Sequence, residues 1–149
     1  MKKIGSSVLL FIAALLFAAV SPVHSASSVA IEVRTVLASN QSDHVDPNLA
    51  ELAGELKSVF RYSSYTLLKH DRMRITVGKT QHTALPGGRQ MTIRPIRTSG
   101  NRLEMELSIL KGKRSVFQTR IELRNNSSIT VGGPRYKKGY LLFNLSTSF

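Results

Sequence analysis

From Arg102 to Arg124 the chain alternates apolar and polar residues with period two on both sides of a basic, glycine-containing turn, and such a pattern folds as a β-hairpin. Leu103, Met105, Leu107 and Ile109 share a face of the first arm, and Phe117, Thr119, Ile121 and Leu123 share a face of the second. Register follows from that chemistry. Pairing Ile109 with Phe117 sets Leu107 by Thr119, Met105 by Ile121 and Leu103 by Leu123, whereas a one-residue slip would place every apolar side chain against a polar one. Glu106 then faces Arg120. Glu104 faces Glu122, a like-charge pair for which the diagonal arginines Arg102, Arg120 and Arg124 are the available relief. One face of the hairpin is core and the other is wet and charged.

The start of the chain reads as a processing signal. Lys2 and Lys3 precede an almost unbroken apolar run from Val8 to Val20, and Val23-His24-Ser25 offers a cleavage site, so residues 1–25 are expected to be a signal peptide and 26–149 a single α+β domain. The expected destination is export, to the periplasm or beyond the cell, with no transmembrane segment in the mature chain. With no cysteine, disulfides, thiolate metal sites and lipobox lipidation are excluded, and stability must come from the core. The formal charge of +12 is unevenly spread. Residues 26–68 carry three basic and five acidic side chains, and residues 69–149 carry sixteen and four, so the positive field belongs to the strand-rich portion.

Val29, Ile31, Val33, Thr35 and Leu37 predict a first strand, with Val36 out of phase and so a second face partly covered. Asp46-Pro47 opens a helix, with Asp46 as cap and Leu49, Leu52, Leu56 and Val59 or Phe60 as its apolar stripe. The alternation from Tyr65 to Val77, interrupted by His70-Asp71, predicts a second hairpin with its turn there. A short strand is expected over 82–85, then a strand through Met91 and Ile93 that Pro95 forces to be an edge or bulged. After the central hairpin come a short strand over 129–131, a basic loop from Gly132 to Gly139, and a last strand from Tyr140 to Phe149. The expected fold is α+β, one N-terminal strand and one helix packed on a curved antiparallel meander of about six or seven strands. The alternation of Leu141, Phe143, Leu145 and Phe149 also resembles the terminal strand of outer-membrane barrels, but the helix and the few, short strands argue against a barrel.

The segments Tyr62-Ser63-Ser64-Tyr65, Leu85-Pro86-Gly87-Gly88-Arg89 and Gly132-Gly133-Pro134 resemble those of a group of small exported bacterial proteins of unknown function. That resemblance implies export and no particular activity.

Catalytic motifs are missing. His44 sits between Asp43 and Asp46 without a second histidine at a ligand interval, and His70 and His82 belong to no hydrolase or zinc signature. No Gly-x-Ser-x-Gly elbow occurs, and the pairs Glu51/Glu55 and Glu104/Glu106 read as a helix surface and a wet strand face. No metal and no cofactor are expected. The glycines and cations of 132–139 suit an anion, although a strand rather than a helix follows, which excludes a nucleotide loop. Arg135, Lys137 and Lys138, with Arg94, Arg120 and Arg124 on the outward parity of their strands, are therefore the candidate anion contacts. Nucleic acid would match the charge but not the export signal. The expected function is a non-catalytic interaction or structural module of the cell envelope, its partner an envelope protein or an anionic surface. The alternatives are a binder of anionic polymer or lipid through 134–139, and a periplasmic enzyme, which a pocket joining His44, His70 or His82 to a carboxylate would favour.

Overall fold

The computed structural model describes residues 26–149, so the signal peptide expected over 1–25 lies outside the described residues. Eight strands form two four-stranded antiparallel sheets. The strands are β1 (Ser28–Ser39), β2 (Ser64–Thr76), β3 (Gln81–Leu85), β4 (Arg89–Ser99), β5 (Arg102–Lys111), β6 (Arg114–Arg124), β7 (Ser127–Tyr136) and β8 (Gly139–Ser148). One sheet has the order β2-β1-β8-β7 and the other β3-β4-β5-β6. Followed around both sheets, the strands come in chain order and β1 closes on β8, but no backbone ladder joins β2 to β3 or β6 to β7. The expected N-terminal strand standing apart from one curved meander is thus corrected, because β1 lies inside the first sheet with β2 and β8 on its two sides.

The main core fills the space between the sheets. Val29, Ile31 and Val33 of β1 and Leu141, Phe143 and Leu145 of β8 meet Met91, Ile93, Leu103, Met105, Leu107 and Ile109 of the other sheet. The register of β5 on β6 is the one the alternation demands, from Leu103↔Leu123 to Ile109↔Phe117, with Glu104 opposite Glu122. Arg102 and Arg120 relieve that like-charge pair at 2.6 Å from Glu122 and 3.4 Å from Glu104, and Arg97 of β4 adds a contact of 2.7 Å to Glu104. Strand number no longer argues against a membrane barrel; the placement of residues does. The apolar side chains point inward and the outer face of the second sheet is charged, the reverse of a lipid-facing band. No helix among the described residues is long and apolar enough to cross a membrane.

The expected turn at His70-Asp71 does not exist: β2 runs through it as one strand of 13 residues. Its pairing with β1 shifts between Thr35 and Val36, leaving Leu68 as an extra residue. A bulge of one residue exchanges faces. Tyr65 and Leu67 therefore lie on the outer face, whereas Met73 and Val77 join Ile75 at the inter-sheet core. Asp71 turns inward at the open β2/β3 edge, where its carboxylate lies 3.0 Å from Lys69 Nζ and accepts from the Thr83 hydroxyl at 2.8 Å. A charged dipeptide between two alternating runs mimics a turn in sequence, but here its charge is satisfied across the gap between sheets.

Proline and glycine in other strands follow the same logic. Pro95 occupies a bulge in β4 beyond the end of β3, where its missing N–H costs no ladder bond. The expected loop from Gly132 to Gly139 is instead the bulged end of β7, and only Lys137 and Lys138 make the turn to β8. Gly133 is needed there because a Cβ would overlap the Phe143 ring and come within 2.9 Å of the Leu141 carbonyl oxygen.

The β1–β2 connection carries the helical segment. The expected helix over 46–60 is broken into a 3-10 turn, Pro47–Leu49, and α1, Ala53–Phe60. Asp46 caps the first, its carboxylate accepting from the Asn48 N–H, and also accepts from the Leu67 N–H; these bonds hold its carboxyl below the ordinary carboxylate range. Leu49 and Leu56 are buried with Val36, Ala38, Tyr65 and Leu142 on the outer face of the first sheet, a second core separate from the one between the sheets. Phe60 completes the stripe, whereas Val59 is 62% exposed.

Beyond the helix the same outer face is polar. Glu32 lies 2.9 Å from Arg72 Nε and 3.1 Å from His70 Nε2, with Arg34 at 3.9 Å. Partial burial opposes its ionisation, but the His70 hydrogen bond and the Arg72 guanidinium outweigh it and hold the carboxyl below the ordinary range. A depressed folded value means stability that is present above the unfolded value and lost as pH falls through the folded one. Glu32→Gln is therefore expected to lower the urea midpoint at neutral pH, with the gap from wild type closing below about pH 4. A gap that is constant from pH 7 to pH 3 would contradict this.

Candidate functional site

Antiparallel order puts the β3–β4, β5–β6 and β7–β8 turns at one end of the sandwich. These three tips carry seven basic residues, Arg89, Lys111, Lys113, Arg114, Arg135, Lys137 and Lys138. Arg89 joins them. It pairs in register with Lys111, and its Nη2 crosses to the other sheet to donate to the Arg135 carbonyl at 2.9 Å. Its guanidinium also lies 6.0 Å from the Tyr136 ring centroid. Lys137 Nζ sits 5.4 Å from the same ring, and Arg135 5.9 Å from Tyr140, within cation–π range.

Ion pairing and position sort the six candidates into three groups. Arg94 lies 3.6 Å from Glu106, and Arg120 lies 3.4 Å from Glu104 and 3.5 Å from Glu106, so these two are engaged on the outer face of the second sheet. Arg124 is exposed opposite Arg102 at the far end of that sheet, away from the tips. Arg135, Lys137 and Lys138 do stand together, and none of the seven tip cations reaches a carboxylate among the described residues. Asp43, in the connection that leaves from the same end, pairs with none of them. Arg89, Lys111, Lys113 and Arg114 are the residues that sequence reasoning left out. The basic composition of the β5–β6 turn was the available signal; its place beside the β7–β8 turn depends on which strands share an end.

Three clefts differ in charge. The largest, about 590 Å³, lies beside the helical segment on the outer face of the first sheet and takes Glu32, Glu51 and Glu55 against Arg34. Another, about 300 Å³, balances Arg97 and Arg102 with Glu104 and Glu122. The cleft of about 390 Å³ at the basic end is lined by Ser39, Ser42, Ser64, Thr66, Lys137 and Lys138, and holds no carboxylate.

The three histidines are not brought together. His44 is exposed in the β1–β2 connection, His70 faces Glu32 on the first sheet, and His82 lies 3.1 Å from the Thr92 hydroxyl on the second. No group of three potential metal ligands forms among the described residues. Comparison of the chain with protein-family models, curated proteins and solved structures found no match.

Proposed function

We propose that this protein is a non-catalytic, exported module of the cell envelope that attaches to an anionic surface through the basic end of its sandwich. The observation that carries this reading is the gathering of seven cations on three adjacent tips without a carboxylate partner, while Arg94, Arg97, Arg102 and Arg120 on the second sheet are matched to glutamates. An anionic surface supplies the missing counter-charge, and exposed tips reach it without refolding. The reading of residues 1–25 as a signal peptide supports attachment outside the cytoplasm.

One observation favours the rival reading of a periplasmic enzyme. His70 is paired with Glu32, which lines the largest cleft. Glu32 is, however, shared with Arg72 and Arg34, and His70 bonds to no hydroxyl among the described residues, so the pair has no nucleophile to activate.

Arg135→Ser, Lys137→Ser and Lys138→Ser together test the attachment. Each basic residue at a charged membrane surface contributes about 1 kcal/mol, so the triple variant should sediment with anionic vesicles about two orders of magnitude more weakly. Salt near 1 M, where the screening length is about 3 Å, should reproduce the loss in the wild type. Undiminished, salt-indifferent binding by the triple variant would refute the reading.

A further inference from the structure

We propose that the cleft beside Lys137 and Lys138 is a binding site for a phosphate monoester group. The proposal rests on the reading of the basic end as an anion-binding surface and names what that surface grips. The wall of the cleft is already built. Ser63 donates from its hydroxyl to the Ser42 carbonyl at 2.6 Å and from its N–H to the Asn40 side chain at 3.0 Å, and the Ser42 hydroxyl donates to that of Ser64 at 3.2 Å. Those bonds pin the β1–β2 connection against the start of β2. The Ser39 and Thr66 hydroxyls, by contrast, take no partner within the described chain, although Ser39 is only 8% exposed. They are donors held ready at a polar, carboxylate-free surface.

The donor set fits one anion geometry better than others. A phosphate monoester presents three peripheral oxygens and close to two negative charges, which several hydroxyls and two ammonium groups can satisfy together. A carboxylate is planar and favours the fork of an arginine, and no arginine lines this cleft. The volume of about 390 Å³ exceeds what a bare phosphate fills, so the group esterified to it is accommodated, with Leu37 as the aliphatic contact. Lys137 adopts φ 49° in the two-residue turn, a left-handed conformation that glycine takes without strain.

The test uses the 26–149 chain with inorganic phosphate, followed by amide NMR, and with vesicles containing either phosphatidic acid, a monoester, or the diester phosphatidylglycerol at equal charge. Ser39→Ala combined with Thr66→Val removes the two unpartnered hydroxyls and no charge. It should weaken phosphate-induced shifts at the cleft about tenfold or more, the scale of hydrogen bonds to a charged group, and abolish any preference for phosphatidic acid while leaving phosphatidylglycerol binding unchanged. Should the double variant fold poorly by urea midpoint, Lys137→Gly relieves the strained turn, removes one charge and should weaken phosphate binding likewise. Phosphate binding without vesicle binding would keep the cleft, identify a soluble monoester as the ligand and overturn surface attachment. Vesicle binding that ignores phosphate, headgroup and hydroxyl removal would overturn the cleft and keep surface attachment.

Discussion

Phe143→Ala is expected to destabilise the protein by about 3–5 kcal/mol, a large part of the roughly 5–15 kcal/mol that holds a domain together. Phe143 is 1% exposed on β8, at the centre of the first sheet, and with Tyr65 it is among the largest fully buried side chains. It faces the inter-sheet core, and its ring also covers Gly133 across the β7 bulge. Truncation removes the transfer free energy of the ring and leaves a void that two hydrogen-bonded sheets cannot close by collapsing. Gly133→Ala in the wild type should cost about 1–3 kcal/mol by overpacking against the same ring. In the Phe143→Ala background the added methyl meets space, so its cost should shrink, though the Leu141 carbonyl still crowds it. Urea midpoints of the four proteins give the coupling, and strict additivity would show that ring and glycine do not share the space.

How far the sequence carried depended on whether a feature was local. The β5–β6 register was legible because eight alternating positions and the Glu106–Arg120 pair favour one alignment and outweigh the like-charge Glu104–Glu122 pair. The β7 end was misread for a local reason: Gly-Gly-Pro is a turn signal, yet here the glycine makes room for Phe143 and the proline sits in a bulge. In β2 the difficulty was parity. Tyr65, Leu67, Met73 and Ile75 keep one sequence phase while the bulge at Leu68 moves them to opposite faces, and nothing in the phase announces the change.

The candidate site divides in the same way. Outward parity made Arg94 and Arg120 look equivalent to Arg135, Lys137 and Lys138. The difference lies in what β4 and β5 place opposite them: Arg94 faces Glu106, which Arg120 faces from the other side. Pairing across three strands decides which cations are spent internally. The basic end is a property of topology, since turns that are 25 residues apart in sequence meet only when hairpins stack in chain order and Arg89 spans the two sheets.

Leu56→Ala is expected to lower stability by about 2–5 kcal/mol, and Val59→Ala by less than about 0.5 kcal/mol. Both residues belong to the apolar stripe by spacing, yet Leu56 is fully buried on the outer face of the first sheet and Val59 is 62% exposed. The contrast asks whether the helical segment is bound to the sandwich or merely connects β1 to β2. Leu56 contributes twice. Its side chain fills the second core with Val36, Tyr65 and Leu142, and its carbonyl accepts from the Tyr65 hydroxyl at 2.9 Å. That hydroxyl in turn accepts from the Tyr62 N–H at 3.1 Å, so a shift of α1 also disturbs the chain where it enters β2 and the wall of the phosphate cleft. Loss of the leucine should therefore lower the urea midpoint and raise amide exchange from Asp46 to Tyr65 more than in β4 or β5. An unchanged midpoint and unchanged exchange would mean that the helix does not dock, and that Val36 and Leu142 are covered by something else.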